Sequence, residues 1–515
     1  MSGNDDVLVL TTREKSWWLS LQEVIPAIER VWTDIGRSEG QNVRIICGPL
    51  PREADLGLQA SASRLKGIVM TTVTPWIART ALFLRRQLHV TAPMVVYVFG
   101  DSTEGFHAFG DLTDVLTERD TFVVSCEAEA EATRCSFPNA QVRVIPIPLV
   151  DQFKVSDSDH HARLDTPRLA YVGRVSEQKN LHTLLFALWI LAASGREPSV
   201  ALDVYGGEDN LGSPNMDLKY PNYATYLQGL SELLGLGRTV TWHGLKPRDW
   251  LFDNVHSEPH ILVSPTLHSD ENFGSSVLAS LVNGHQVVTT AWGGHLGFQE
   301  WFPQQLALVP VHRSTMGPVV NPVSLAYAIQ MATHRMGEAT VDAAILSRAR
   351  AEFSARGVAR RSYEILDRPT GDSAPLKKSS IQHEIDERRS LFGGTRKIYT
   401  SYGDPIAQGF FEIYGMKEQI SFDKHADYTL APWVSYSDNV LCIDDPHRGR
   451  QSFHVDARPA EPIEVAMCPP TDVCRLSESL VSDIVAQGYA FPLPLAHSAE
   501  VVEISGDASG GRYKE

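Results

Sequence analysis

HILVSPTLHSDENFGSSVLASLVNGHQVVTTAWGGHLGF, residues His260–Phe298, runs strand, loop, helix, strand, loop in one short span. HILVSP is an apolar run of the kind that forms a buried parallel strand. Ser269, Asp270, Glu271 and Asn272 then place polar groups beyond its carboxyl end. Gly274 opens a helix with an apolar face of Val277, Leu278, Leu281 and Val282, and Gly284 ends it. QVVTTA is the next strand, and Gly293-Gly294 is a bare turn beyond it. Ligands of open α/β sheets bind outside the carboxyl ends of the strands. An acidic loop and a glycine-rich loop therefore converge where a ligand is expected.

The same alternation extends in both directions. Upstream, RLAYVG, ALDVYGG and TVTWHG are strands, separated by NLHTLLFALWILAASG and by the helix around YLQGLSELLGLG. Downstream, PVSLAYAIQMATHR and TVDAAILSRARAEFSARGVARRSYEIL are helices that close this unit near Asp367. A first unit precedes it, with strands VLVLTT, NVRIIC, GIVMTTV, APMVVYVFG, TFVVSC and VRVIPI. Ser16 is a candidate cap for its first helix, which contains Pro26. Strands alternating with helices at this spacing mean doubly wound parallel sheets. The expected organisation is a Rossmann-like domain over 1–150, a polar linker over 151–167, a second Rossmann-like domain over 168–367 and a C-terminal region over 368–515. In that last region RKIYTSY, NVLCIDD and PIEVAM are candidate strands and SLVSDIVAQG a helix.

With 515 residues the chain is too long for one core. Its 43% hydrophobic and 21% charged content is ordinary for a globular protein. A formal charge of −16 argues against broad nucleic-acid binding and against a polybasic membrane surface. No apolar run is long enough to span a bilayer. The N-terminus lacks the basic start and apolar core of a signal peptide. The six cysteines show no zinc spacing, which fits a reduced, cytoplasmic protein. The acids and histidines Asp444-Asp445-Pro446-His447, His454 and Asp456 read as surface residues rather than as metal ligands.

Three segments of the second unit carry candidate chemistry. In YVGRVSEQKN a strand ends at Gly173, and Arg174 and Lys179 lie between it and the next helix. Two cations beside a helix N-terminus suit a diphosphate. In Asp270-Glu271-Asn272-Phe273-Gly274 a carboxylate beside such a site suits sugar hydroxyls, while Asp270 or Asn272 can cap the helix. Gly293-Gly294-His295 allows close backbone approach. Taken singly, each segment also reads as a charged loop, a helix cap or a tight turn.

Together and in this order, with VYGGED, VTWHGL and FVVSCEAEAEATRCSFPNAQVRVIPIPLVDQF, these segments resemble the retaining GT-B glycosyltransferases of glycosyltransferase family 4, also called glycosyl transferases group 1. The resemblance covers about residues 7 to 365. It implies a GT-B fold, with a nucleotide-sugar donor held by the second domain and a glycan or lipid-linked acceptor held by the first. It implies a hexosyl transfer with retention, without a metal or other cofactor. Arg174 and Lys179 then neutralise the leaving diphosphate, and Glu271 matches the first glutamate of the family's E-x7-E motif. Gly173, Asn272, Phe273, Gly274, Gly293, Gly294 and His295 are assigned to the donor. His107, in VVYVFGDSTEGFH, stands about where the family has a histidine near the donor sugar, and the loop Gly48-Pro49-Leu50-Pro51 approaches the cleft. The second motif glutamate falls at Ala279, which puts the nucleotide's ribose contact in doubt. That departure, with the long C-terminal region, leaves a non-catalytic GT-B subunit as the alternative. A GT-B epimerase or phosphorylase is a third reading, and no context for a pyridoxal-phosphate lysine supports the latter. ALFLRRQL is a hint of peripheral membrane contact at the inner face. The C-terminal region is a candidate for acceptor recognition or homo-oligomer formation.

Overall fold

Short Val, Ile and Leu runs bury themselves as parallel strands only when helices cover both faces of the sheet, and the chain meets that requirement twice. The computed structural model describes residues 6–13, 21–48, 65–149, 167–195, 200–208, 220–336, 342–366, 373–392, 398–456, 459, 461–468 and 473–493. Ser16, Pro49–Pro51 and all of the expected linker except Pro167 lie outside the described residues.

The first sheet contains β1 (Asp6–Thr12), β2 (Asn42–Gly48), β3 (Leu65–Met70), β4 (Met94–Tyr97), β5 (Thr121–Val124) and β6 (Gln141–Val144), in the order β2-β1-β3-β4-β5-β6. All neighbours are parallel, with Leu8 opposite both Arg44 and Ile68. The second contains β7 (Arg168–Val172), β8 (Ala201–Tyr205), β9 (Val240–Gly244), β10 (Ile261–Ser264), β11 (Gln286–Thr290) and β12 (Leu306–Val309), in the order β12-β11-β10-β7-β8-β9. It too is parallel throughout. Two Rossmann-like sheets with an added C-terminal region are the class implied by the strand pattern. In the second sheet the chain runs from β7 through β8 to β9, then returns to pair β10 on the other side of β7. The topological switch point therefore lies at the carboxyl ends of β7 and β10, the place where open α/β sheets bind ligands.

Helix Ser275–Val282 turns Val277, Leu278, Leu281 and Val282 completely into the core. Each such burial contributes about 1.5–3 kcal/mol. The final helical stretch crosses back to the first sheet. Ala355–Tyr363 packs along helix Leu21–Ser38, and Val358, Ala359 and Leu366 share a core with Val24, Ile28 and Trp32. Trp32 Nε1 donates to the Tyr97 hydroxyl at 3.1 Å, which lies 3.3 Å from Ser362 Oγ. A segment assigned from its sequence to the second unit thus holds on to the first.

The C-terminal region is not a separate appendage. Helix Ser380–Leu391 and helix Pro405–Ile413 both pack on Glu127–Ser136 of the first domain. Met416–Lys417 pairs in parallel with strand Val311–Ser314 of the second. A four-stranded sheet (Val473–Ser477, Pro462–Ala466, Tyr428–Leu430, Ala490–Pro492) and a three-stranded one (Val434–Ser437, Val440–Asp445, Gly449–His454) follow. NVLCIDD, PIEVAM and SLVSDIVAQG form a strand, a strand and a helix as expected, whereas Ile398–Tyr402 of RKIYTSY is irregular. Phe186 of helix Leu181–Ala193 meets Trp433 at 6.0 Å and Phe491 at 5.9 Å between ring centroids.

Two sequence expectations need correction here. Asp445 and His447 are buried, not on the surface. Asp445 is tied to Arg448 at 2.5 Å, and His447 stacks on Tyr402 with centroids 4.1 Å apart. The apolar side of ALFLRRQL faces the core through Ala81 and Leu84, and Arg85 is occupied by Asp120 and by the Val90 and Ala92 carbonyls. That segment gives no support to a membrane contact. Among the described residues no helix is long and apolar enough to cross a membrane.

Burial pushes the Asp445 carboxyl up, but Arg448 holds it down to about 2. Replacing Arg448 by Met leaves a buried carboxylate without its cation, so Arg448→Met should lose roughly 3–5 kcal/mol. Arg448→Met/Asp445→Asn should recover much of that loss. Urea unfolding midpoints of the two variants check it.

Candidate functional site

Loops from the carboxyl ends of β7, β10 and β11 are stitched together by their own polar groups. Leu267 N donates to Gln178 O at 2.8 Å, joining the β10 loop to the β7 loop. The Thr289 and Thr290 hydroxyls donate to Ser264 O and Thr266 O, both at 2.7 Å, joining β11 to β10. Trp292 Nε1 donates to His268 O at 2.7 Å.

At the meeting point Lys179 Nζ donates to Glu271 Oε2 at 2.5 Å, and the Thr266 hydroxyl donates to the same oxygen at 3.1 Å. Burial pushes the Glu271 carboxyl up, but the Lys179 ammonium together with His295 and His268 holds the group well below the usual carboxylate range. Glu271 is therefore an ionised acceptor. His268 and His295 lie beside this pair. Burial drives the His268 imidazole well below its ordinary range, and the charges of Arg174 and Lys179 drive it further. Burial lowers His295 to about 4 against the opposing pull of Glu271. Both rings are neutral near pH 7. His295 Nδ1 lies 2.7 Å from Thr289 Oγ1.

The glycines have specific reasons. Gly274 has φ +82, and a Cβ there would stand 2.5 Å from the His295 ring. A Cβ on Gly293 would stand 2.1 Å from Glu271 O, and one on Gly294 2.4 Å from Asn272 O. Only glycine lets the β11 loop lie flat against the acidic loop.

Lys179, Glu271, His295 and Gly274 are thus brought together, the Arg174 charge acts on His268 beside them, and Gly173 at the end of β7 donates its N–H to Tyr205 O at 3.0 Å. Other expectations are revised. The helix opens just beyond Lys179: the residue ends a 3-10 turn, Glu177–Lys179, and left-handed Asn180 is the cap before Leu181, while His182 N of the helix is bonded to the Tyr223 hydroxyl. Neither Asp270 nor Asn272 caps helix Ser275–Val282, because Gly274 occupies the cap position with no side-chain bond. The Phe273 ring is in the core against Phe298 and Phe353. The turn amides are already engaged: Gly293 N with Tyr414 O and Gly294 N with Glu271 O, each at 2.8 Å. His107 opens the turn His107–Asp114, whose Phe109 and Leu112 pack in the first domain's core. From the same loop, the Thr103 hydroxyl donates to Asp270 of the second domain.

His268, Asp270 and Thr103 were not assigned a site role from sequence. The signal for His268 was its place three residues before Glu271 on a strand-end loop. Thr103 carried none, since its partner is 167 residues away.

Residues 153–298 match the family described as Glycosyl transferases group 1. No curated protein matches the sequence. Among solved structures, a glycosyltransferase from Rickettsia africae is 12% identical with a TM-score of 0.47, over 71% of this chain and 98% of that one. WaaG, a glycosyltransferase involved in lipopolysaccharide biosynthesis, is 12% identical with a TM-score of 0.45, over 71% and 100%. An Escherichia coli structure titled trehalose-6-phosphate bound with UDP-2-fluoro glucose is 9% identical with a TM-score of 0.46, over 71% and 99%.

The buried groups set a pH response. Burial lowers His182 and His295 to about 4 and His256, His260 and His447 to about 3, with His268 also lowered. These imidazoles refuse protons that the unfolded chain takes up below about pH 6.5, so each costs about 1.4 kcal/mol per pH unit as pH falls through that window. Burial acts oppositely on Glu129, raised to about 8, and on Asp270 and Asp120, also raised. An acid raised in this way contributes stability that is lost as pH rises through its folded value, which for Glu129 is about 8. Stability should therefore peak near pH 6.5 and fall on both sides, more steeply on the acid side, in melting temperatures measured across a pH series.

Proposed function

We propose that this chain is a retaining GT-B glycosyltransferase. It transfers a hexosyl group from a nucleotide-sugar donor held at the β7/β10 switch point to a glycan or lipid-linked acceptor on the first domain's side. The observation that carries the reading is the convergence of Arg174, Lys179 and ionised Glu271 there. The Glycosyl transferases group 1 match over 153–298 spans these residues. A Lys ammonium has three N–H donors, so Lys179 can hold Glu271 and a diphosphate oxygen together. Glu271, an acceptor only, suits donor-sugar hydroxyls. Neutral His268 and His295 add hydrogen bonding without further charge.

In this reading the bond between the anomeric carbon and the diphosphate oxygen breaks, and the electron pair leaves with the phosphate. Arg174 and Lys179 stabilise that growing charge from fixed positions in a largely buried site, where such interactions are strongest. The cations take the part that a metal plays elsewhere, so no metal or cofactor enters the reading. The acceptor hydroxyl attacks the face the leaving group occupied and gives its proton to the departing diphosphate oxygen, so configuration is retained. A cytoplasmic location fits a soluble nucleotide-sugar supply.

Two observations favour the second reading, a non-catalytic GT-B subunit. Ala279 stands where the ribose-binding glutamate is expected, and the Gly293 and Gly294 amides are bonded within the protein.

Arg174→Ala is the cleaner test, because Lys179→Ala also strands buried Glu271. Arg174→Ala should fold normally and lose about a hundredfold or more in turnover, measured with the nucleotide sugar that wild type hydrolyses or transfers in a donor panel. Calorimetric titration with UDP and GDP separates the readings. Binding of one of them supports the transferase, and binding of neither supports the subunit.

A further inference from the structure

The loop Gly100–Phe106 of the first domain is held from two sides. On one side is Asp270 of the second domain, one residue before Glu271. Thr103 and Asp270 are both buried, at 2% and 7% exposure, and the Thr103 hydroxyl donates to Asp270 Oδ1, the oxygen that also accepts from Ser269 Oγ at 3.1 Å. On the other side is the C-terminal region. Tyr399 donates its hydroxyl to Thr103 O at 2.7 Å, Arg389 Nη2 donates to the Glu104 and Gly105 carbonyls at 2.9 Å each, and Gln382 Nε2 donates to Gly105 O at 3.2 Å. The loop is gripped tightly enough to need glycine at both contacts. A Cβ on Gly100 would lie 2.5 Å from Asp270 Cβ, and one on Gly105 2.3 Å from an Ile385 methyl.

We propose that Thr103 and Asp270 are positioning residues that latch the two Rossmann-like domains together beside the candidate donor site, with Tyr399 bracing Thr103 from the C-terminal region. The proposal rests on reading the Lys179–Glu271 cluster as the donor site. Its physical route is short. Asp270 N donates to His268 Nδ1 at 3.0 Å, and Glu271 N donates to His268 O at 3.1 Å, so Asp270, His268 and Glu271 share one tight turn. A shift at Asp270 must move the imidazole and the carboxylate that face Lys179. All three parts of the chain meet at Thr103: its own domain through the backbone, the second domain through its hydroxyl, the C-terminal region through its carbonyl. Domain closure in this protein is therefore set by a built-in clamp, and the C-terminal region is part of the site's framework.

Burial, together with the charges of Glu104, Glu129 and Asp101, pushes the Asp270 carboxyl well above the usual carboxylate range. An amide has the same shape and one acceptor oxygen, so Asn is the conservative replacement. The test uses full-length Thr103→Val, Tyr399→Phe, Asp270→Asn and Asp270→Leu. Amide hydrogen exchange is followed over 100–106 and 266–273, with UDP and GDP titration and turnover of the nucleotide sugar found in the donor panel. Thr103→Val and Asp270→Leu should speed exchange in both segments by about tenfold. They should lower turnover by about tenfold or more and leave the nucleotide dissociation constant within roughly twofold. Asp270→Asn should match wild type in all three, and Tyr399→Phe should speed exchange over 100–106. Faster exchange confined to 100–106 in Thr103→Val, or Asp270→Asn as damaging as Asp270→Leu, overturns the latch. Wild type that binds no nucleotide removes the donor reading instead, and the exchange results then decide the latch by themselves.

Discussion

A carboxylate taken out of water stays ionised only if a cation and hydrogen-bond donors meet it there. Glu271 satisfies that condition through Lys179 and Thr266. The requirement organises everything around it. Lys179 comes from the loop after β7 and Glu271 from the loop after β10, so both loops must end at the same point above the sheet. The β11 loop can join them only because Gly293 and Gly294 lie where any Cβ would strike the backbone of Glu271 and Asn272. His268, buried near Arg174 and Lys179, and His295, buried near Lys179, are driven neutral. The result is a region with fixed positive charge, one ionised acceptor and neutral imidazoles, suited to a ligand that is anionic at one end and rich in hydroxyls at the other.

The C-terminal region completes this arrangement rather than decorating it. Helix Leu181–Ala193, LHTLLFALWILAA, is apolar nearly all round, which is the signature of a helix covered on both sides. One side meets the second sheet's core and the other receives Trp433 and Phe491. Tyr414 is fully buried, with its ring 6.0 Å from that of Trp292 and its carbonyl on Gly293 N. The same segment that joins the C-terminal region to the second domain through Met416–Lys417 thus shapes the turn beside Glu271. Two Rossmann-like domains joined only by a linker would be free to open and close. Here a third body is wedged against both.

Much of this was legible in the chain. The strands announced themselves as short apolar runs alternating with helices, and strand-end loops carrying Arg174, Lys179 and Glu271 marked the expected crevice. What was misread has a common cause. The helix after Lys179 was expected to offer free amides, yet Asn180 adopts a left-handed conformation and Tyr223, 41 residues on, bonds the amide of His182. Asn272 and Asp270 looked like caps, but Asp270 is claimed by Thr103. Phe273 looked like part of a binding loop, but its ring belongs to the core. In each case a local pattern was right about the residue's chemistry and silent about the partner that uses it.

The sequence by itself determined the periodicities, hence two parallel sheets with their crossovers, and it determined which loops lie at strand carboxyl ends, because strand direction follows from the alternation alone. That β7 and β10 are neighbours, which brings Lys179 to Glu271, came from the strand order of the folded sheet. Only the tertiary structure decided how the domains and the C-terminal region lock together. Thr103 with Asp270, Tyr399 with Thr103, and Tyr414 with Gly293 are contacts between residues more than a hundred positions apart. No local propensity encodes such pairs; they exist because packing three bodies together leaves buried polar groups that must find each other.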